Sequence, residues 1–142
     1  MTPAARRARW CFPSQSSSAA AARAATRSFL ASLAERPAGS PSPPAVDEES
    51  AVLAVSELVA NAVLHADARP GDIELRLEAR RGSLHIEVED GDPRPPVLGP
   101  GAAEKDRGRG LLIVDRLAAR WGWTPVPEHG KSVWCDLGEA GG

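Results

Sequence analysis

The phase of apolar and polar positions predicts eight helices and strands, joined by a linker and a long loop. Residues 10–12 form a short apolar strand candidate, closed by Pro13. The serines at 14–18 are N-cap candidates for a helix over residues 19–33, with Phe29, Leu30 and Leu33 as its apolar contacts. Residues 37–44 are a Pro/Ser/Gly linker with no ladder potential. Asp47 opens a second helix, with Glu48 and Glu49 in the first turn where the dipole favours them, and the pattern runs to about Ala66. Ile73, Leu75, Leu77 and Ala79 then alternate with charged residues, as do Leu84, Ile86 and Val88. Arg81–Gly82 turns between them, so the pair is a hairpin with one buried and one wet face. A Pro- and Gly-rich loop over 90–107 leads to a helix from Gly108 to about Arg120. Residues 121–126 and 131–137 close the chain as a strand pair. Strands with one dry face call for helices on that face only, which is a two-layer α/β sandwich of the α+β class.

The second helix carries the chemistry. Residues 51–66 read AVLAVSELVANAVLHA. At about 100° per residue, Val52, Val55, Val59 and Ala62 form one apolar stripe. Leu53, Ala60 and Leu64 lie nearly opposite, which predicts a helix buried on two sides. Glu57, Asn61 and His65 fall at i, i+4 and i+8 on one narrow line, with no Lys or Arg between Val46 and Ala68 to pair with the carboxylate. Such a line fits a pocket wall; it also fits a thin wet strip ending in a histidine that the helix dipole favours. As a pocket wall it suits a metal–phosphate ligand. An amide oxygen is a hard ligand for Mg²⁺, and a carboxylate one turn earlier can take a proton from an attacking hydroxyl.

Composition narrows the alternatives. The chain has 142 residues and a formal net charge of −2, one domain's worth of polypeptide. Its 42% hydrophobic and 25% charged residues match a globular protein and exclude a disordered or collagenous chain. No apolar run approaches the roughly 20 residues of a membrane span. The acidic balance lacks the field behind most nucleic-acid binding. The first 36 residues carry six Arg against one Glu, which leaves a basic-arm reading open for residues 1–9. Cys11 and Cys135 lie far apart and read as reduced core thiols of a cytoplasmic protein.

Three glycine-containing segments have candidate chemistry. Gly108, Arg109, Gly110 and Leu111 open an apolar helix, where backbone N–H groups can meet an anion. The same glycines also make an ordinary turn. Ile113 occupies the place of the third glycine of a dinucleotide fingerprint, and no strand directly precedes it. Gly130–Lys131–Ser132 resembles the end of a P-loop, but Pro125 occupies the required first glycine and a strand-like run follows. Asp90, at a strand end before Gly91, can accept a bond from the exocyclic amine of a base, or simply form a turn.

Taken together these segments resemble the Bergerat-fold ATPases, the superfamily of histidine-kinase and gyrase ATPase domains. ELVANAVLH at 57–65 resembles the N-box, VEDGDPRPP at 88–96 the first glycine box, GRGLLIVDRLAARWG at 108–122 the second, and GKSVWCDL at 130–137 the closing strand motif. The resemblance covers about residues 10–138, leaving a basic N-terminus over 1–9 and a tail over 139–142. It is nearest to stand-alone anti-sigma-factor serine kinases and their ATP-binding relatives. It implies a mixed, mainly antiparallel sheet with helices on one face, and ATP and Mg²⁺ as ligands. It implies Asn61 as the Mg²⁺ ligand and Glu57 as the base for a serine hydroxyl. Asp90 would bond the adenine amino group. Gly108, Arg109, Gly110 and Leu111 would bind the phosphates, and Ser132 would stand where relatives often carry a Thr that helps hold adenine. The implied partners are a small anti-anti-sigma-like protein and a sigma factor, with no direct nucleic-acid or membrane partner, and a homodimer fits the same resemblance. A non-catalytic, ATP-responsive binding module fits the same motifs. Two departures stand out: Asp92 and Arg94 occupy the usual glycine positions of the first box, and the lid over 98–107 is short.

Overall fold

The computed structural model describes residues 6–35, 46–64, 72–96 and 109–138. The linker over 37–44, His65, the lid over 98–107, Gly108 and the tail over 139–142 lie outside the described residues. The elements are β1 (Arg6–Pro13), α1 (Ser18–Ala34), α2 (Glu48–Leu64), β2 (Asp72–Arg80), β3 (Ser83–Asp90), α3 (Arg109–Leu117), β4 (Arg120–Val126) and β5 (Gly130–Gly138). They form two layers. A five-stranded sheet in the order β1-β2-β3-β5-β4 has every described pairing antiparallel.

Alternation assigns the two faces. Ile73, Leu75, Leu77, Leu84, Ile86, Val88, Val133, Cys135 and Leu137 are buried in one core beneath the helices. Glu74, Arg76, Glu78, His85, Glu87 and Glu89 occupy the intervening, half-buried positions on the outer face. The core also takes in Phe29 and Leu33 of α1, Ala54, Val55, Leu58 and Val59 of α2, and Leu111 and Val114 of α3. Each large aliphatic group so buried contributes about 1.5–3 kcal/mol relative to exposure.

Three expectations are revised. The sheet begins at Arg6, because Arg7 and Arg9 take outer-face positions beside Glu78 and Glu74, at 4.0 and 3.6 Å; residues 6–9 are therefore strand and not arm. The third helix ends at Leu117, and Arg120 instead joins β4, its Nε donating to Asp136 Oδ2 at 2.9 Å. On α2 only one broad side is buried. Leu53 is 40% exposed and Ala60 is exposed, because the neighbouring helices flank α2 without covering its back. Of the two free cysteines, Cys135 is in the core, where burial pushes its thiol up to about 12, and Cys11 is exposed on β1.

Candidate functional site

The direction of each element decides which residues meet. Val46, just before α2, lies beside Gly138 at the far end of β5. Asp47 caps α2 there, its Oδ2 accepting the Ser50 N–H at 3.0 Å. The 17 residues of α2 span about 25 Å, close to the length of the strands beneath. The last turn of α2, with Asn61, therefore reaches the opposite end of the sandwich. That end holds the finish of β3 at Asp90 and the start of β5, since Asp90 pairs with Lys131. The third helix runs into β4 at Arg120, opposite Asp136, so its first turn points back to the Asp90 end. The topology thus gathers Asn61, Asp90 and the Arg109–Gly110–Leu111 backbone at one end of the fold.

On α2, Asn61 is 6% exposed, and its side chain makes no hydrogen bond among the described residues. An amide that has no protein partner and still reaches solvent is open to an external ligand. Glu57 lies one turn earlier, half-buried and with no ion pair among the described residues. Burial holds its carboxyl above the usual glutamate range, which makes it a stronger base than an exposed glutamate. The line of residues at 57 and 61 is therefore neither a dry core stripe nor an ordinary charged face.

At the end of β3 the side chains form a closed arrangement. Asp90 is 3% exposed, and its Oδ1 accepts the Asp92 N–H at 2.8 Å and a bond from Lys131 Nζ at 3.2 Å. The same ammonium donates to the Asp92 carbonyl at 3.1 Å. Asp92 is also buried; its Oδ1 accepts the Arg94 N–H at 2.9 Å, and the Arg94 guanidinium donates to Oδ1 from Nε at 3.1 Å and to Oδ2 from Nη2 at 2.7 Å. That fork holds the Asp92 carboxyl down at about 2. Two successive aspartate-to-backbone turns thus replace the flexible glycines expected at 92 and 94. Gly130 lies tight beneath, and a Cβ there would stand 2.0 Å from the Asp90 carbonyl oxygen.

Lys131 is the site residue that the motif reading missed, and Ser132 the one it misplaced. Lys131 is in phase with Val133, Cys135 and Leu137 and so faces the helices; it is fully buried. Ser132 is one residue out of phase. Its hydroxyl lies on the outer face, donating to Glu87 and accepting from Arg76 Nη2 at 3.4 Å. The β5 position that faces Asp90 is therefore 131, a phase already visible in the alternation of VWCDL.

The outer face forms a separate network. Arg76 bonds Glu74, Glu87 and Glu89. His85 stacks on Trp134 at 5.7 Å, with Nδ1 2.6 Å from Asp136 Oδ1 and Nε2 3.1 Å from Glu87 Oε1. Two hollows of about 520 and 310 Å³ open on this face, each lined in part by Arg80, His85 and Glu87. They lie on the opposite side of the sheet from Asn61 and Asp90.

These features define a two-layer domain with its described helices on one face of an antiparallel sheet. The chain belongs to the histidine kinase-like ATPase domain family, whose model matches residues 15–135. It is also similar to an uncharacterized protein of Streptomyces coelicolor, 41% identical over 59 residues. That alignment spans 39% of this chain and 53% of the relative's length, so the chain covers about half of it. No described helix is long and apolar enough to cross a membrane.

The residues present fit a Mg²⁺–nucleotide. No cluster of three His, Cys, Asp or Glu among the described residues could cage a metal. A Mg²⁺ ion that keeps its waters and takes most other ligands from phosphates needs little more than the Asn61 amide oxygen.

Proposed function

We propose that the protein is an ATP-dependent serine/threonine kinase of the anti-sigma-factor type. It transfers a phosphoryl group to a hydroxyl of a small anti-anti-sigma-like partner and binds a sigma factor in its alternate state. The observation that carries this reading is Glu57. A partly desolvated carboxylate with no ion pair among the described residues, one helical turn from a largely buried amide with no protein hydrogen bond, suits a general base beside a metal-binding group. Asn61 would hold Mg²⁺, which when bound neutralises phosphate charge. Asp90 would accept the adenine amino group, and the α3 backbone from Arg109 to Leu111 would face the phosphates.

Incubation with γ-labelled ATP and the candidate antagonist tests the reading. Wild type is expected to label the partner. Glu57→Ala is expected to bind ATP normally and to transfer at least about 100-fold more slowly. Transfer at the wild-type rate by Glu57→Ala refutes the base assignment. ATP binding with no label on any partner favours a non-catalytic, ATP-responsive module, in which the same pocket shifts partner affinity.

A further inference from the structure

A fully buried lysine on an otherwise apolar strand row has to be explained. Lys131 shares its row with Asp90 of β3 on one side and Pro125 of β4 on the other, and the Pro125 side chain has no acceptor for a cation. Val133, Cys135 and Leu137 continue the same face in the core. A methionine would fill this space without the cost of burying an ammonium group, which is several kcal/mol when unpaired. Lys131 Nζ spends two donors on one locus: Asp90 Oδ1 at 3.2 Å and the Asp92 carbonyl at 3.1 Å. It therefore supplies a countercharge to, and helps orient, a carboxylate that is itself 3% exposed.

We infer that Lys131 is a positioning residue for base recognition, holding Asp90 ionised and acceptor-only so that the site selects a 6-amino purine over a 6-oxo purine. This rests on the reading of the Asn61–Asp90 end as the nucleotide pocket. The chemistry is a donor–acceptor rule. An ionised carboxylate accepts from an exocyclic amine and is repelled by a carbonyl oxygen at the same place. Removing the ammonium takes away a countercharge at a buried carboxyl, which shifts its balance toward the protonated form. A protonated Asp90 carries an O–H that donates to a 6-oxo group, so discrimination is lost as well as affinity. Lys131 itself is sealed from solvent and acts through Asp90.

The test is calorimetric titration of the full chain with ATP and with ITP, which differ at the 6-position. Wild type is expected to prefer ATP by at least roughly tenfold. Lys131→Met is expected to lose at least roughly tenfold in ATP affinity and to bring the two nucleotides within about threefold of each other. A Lys131→Met protein that keeps the wild-type ATP preference overturns the role of Lys131 and leaves the pocket standing. A wild type that binds neither nucleotide overturns the pocket itself. If the variant does not fold, the pH profile of the wild type decides. A preference constant from about pH 5 to about pH 8 supports the clamp, and a preference that decays toward acid overturns it.

Discussion

Substituting Gly130 by alanine tests the architecture of the site with a single methyl group. The added Cβ would lie 2.0 Å from the Asp90 carbonyl oxygen, 2.6 Å from the carbonyl carbon of Gly91 and 2.7 Å from its Cα. All three are backbone atoms at the junction of β3 and the Asp92 turn, so no rotamer change relieves the overlap. The strands must part by roughly 1 Å, which breaks the Asp90–Lys131 row. Overpacking of this kind costs about 1–3 kcal/mol, and a clash against backbone belongs at the upper end. At about 3 °C per kcal/mol for a chain of this size, Tm falls by roughly 9 °C. Gly122 supplies the contrast. A Cβ there would meet the Trp134 ring edge at 2.8 Å, but that ring lies on the open outer face and can tilt, so the cost stays below about 1.5 kcal/mol. Thermal unfolding of the two alanine variants, followed by circular dichroism, measures the difference. A Gly130→Ala protein that melts within about 1 °C of wild type refutes the close approach of β5 to the Asp90 turn.

Two further outcomes follow from the same geometry. His85 titrates above its usual value, because although burial opposes the charge, hydrogen bonds to Glu87 and Asp136 outweigh it. Glu78 across β2 faces the same ring, and Arg80 and Arg120 flank it as opposing cations. A raised folded value means the stabilisation is complete below the unfolded value of about 6.5 and is lost as pH rises through the folded one. Tm of wild type should therefore fall across that window, and His85→Gln should flatten the profile; an unchanged slope in the variant would exclude the imidazolium. Asn61→Ala should leave Tm within a few degrees of wild type and weaken Mg²⁺-dependent ATP binding by at least roughly tenfold, read by titration with and without the metal.

Local pattern reveals the hairpin, the α2 cap and the dry face, whereas the serine run before α1 supplies no side-chain cap, Ser17 making no capping bond. The strict alternation of β2 and β3 admits only one assignment of faces, and Asp47 caps α2 as its position before the glutamates suggests. The position of β5 between β3 and β4 was not legible, since non-local pairing leaves no mark on short-range period. Leu53 and Ala60 show a second limit: periodicity marks a stripe as apolar without saying whether another element covers it. Ser132 was placed by motif, and the pleat reverses that placement, because a shift of one residue changes the face. Lys131 falls in both the failed P-loop and the closing strand motif and draws no role from either, although its phase with Val133 already puts it among core residues. The Arg76 and His85 network could be anticipated as charges on a wet face, but not as bonded partners across three strands.

The central claim is that ATP with Mg²⁺ binds at the end of the sandwich where Asn61, Asp90 and Lys131 converge. Isothermal titration of the wild-type chain with ATP, in the presence of Mg²⁺ and then of a chelator, tests it most directly. The account predicts saturable one-to-one binding that weakens at least roughly tenfold without the metal and is lost in Asp90→Asn. Heat of binding that is absent, or that is unchanged by both metal removal and the Asp90 substitution, contradicts it.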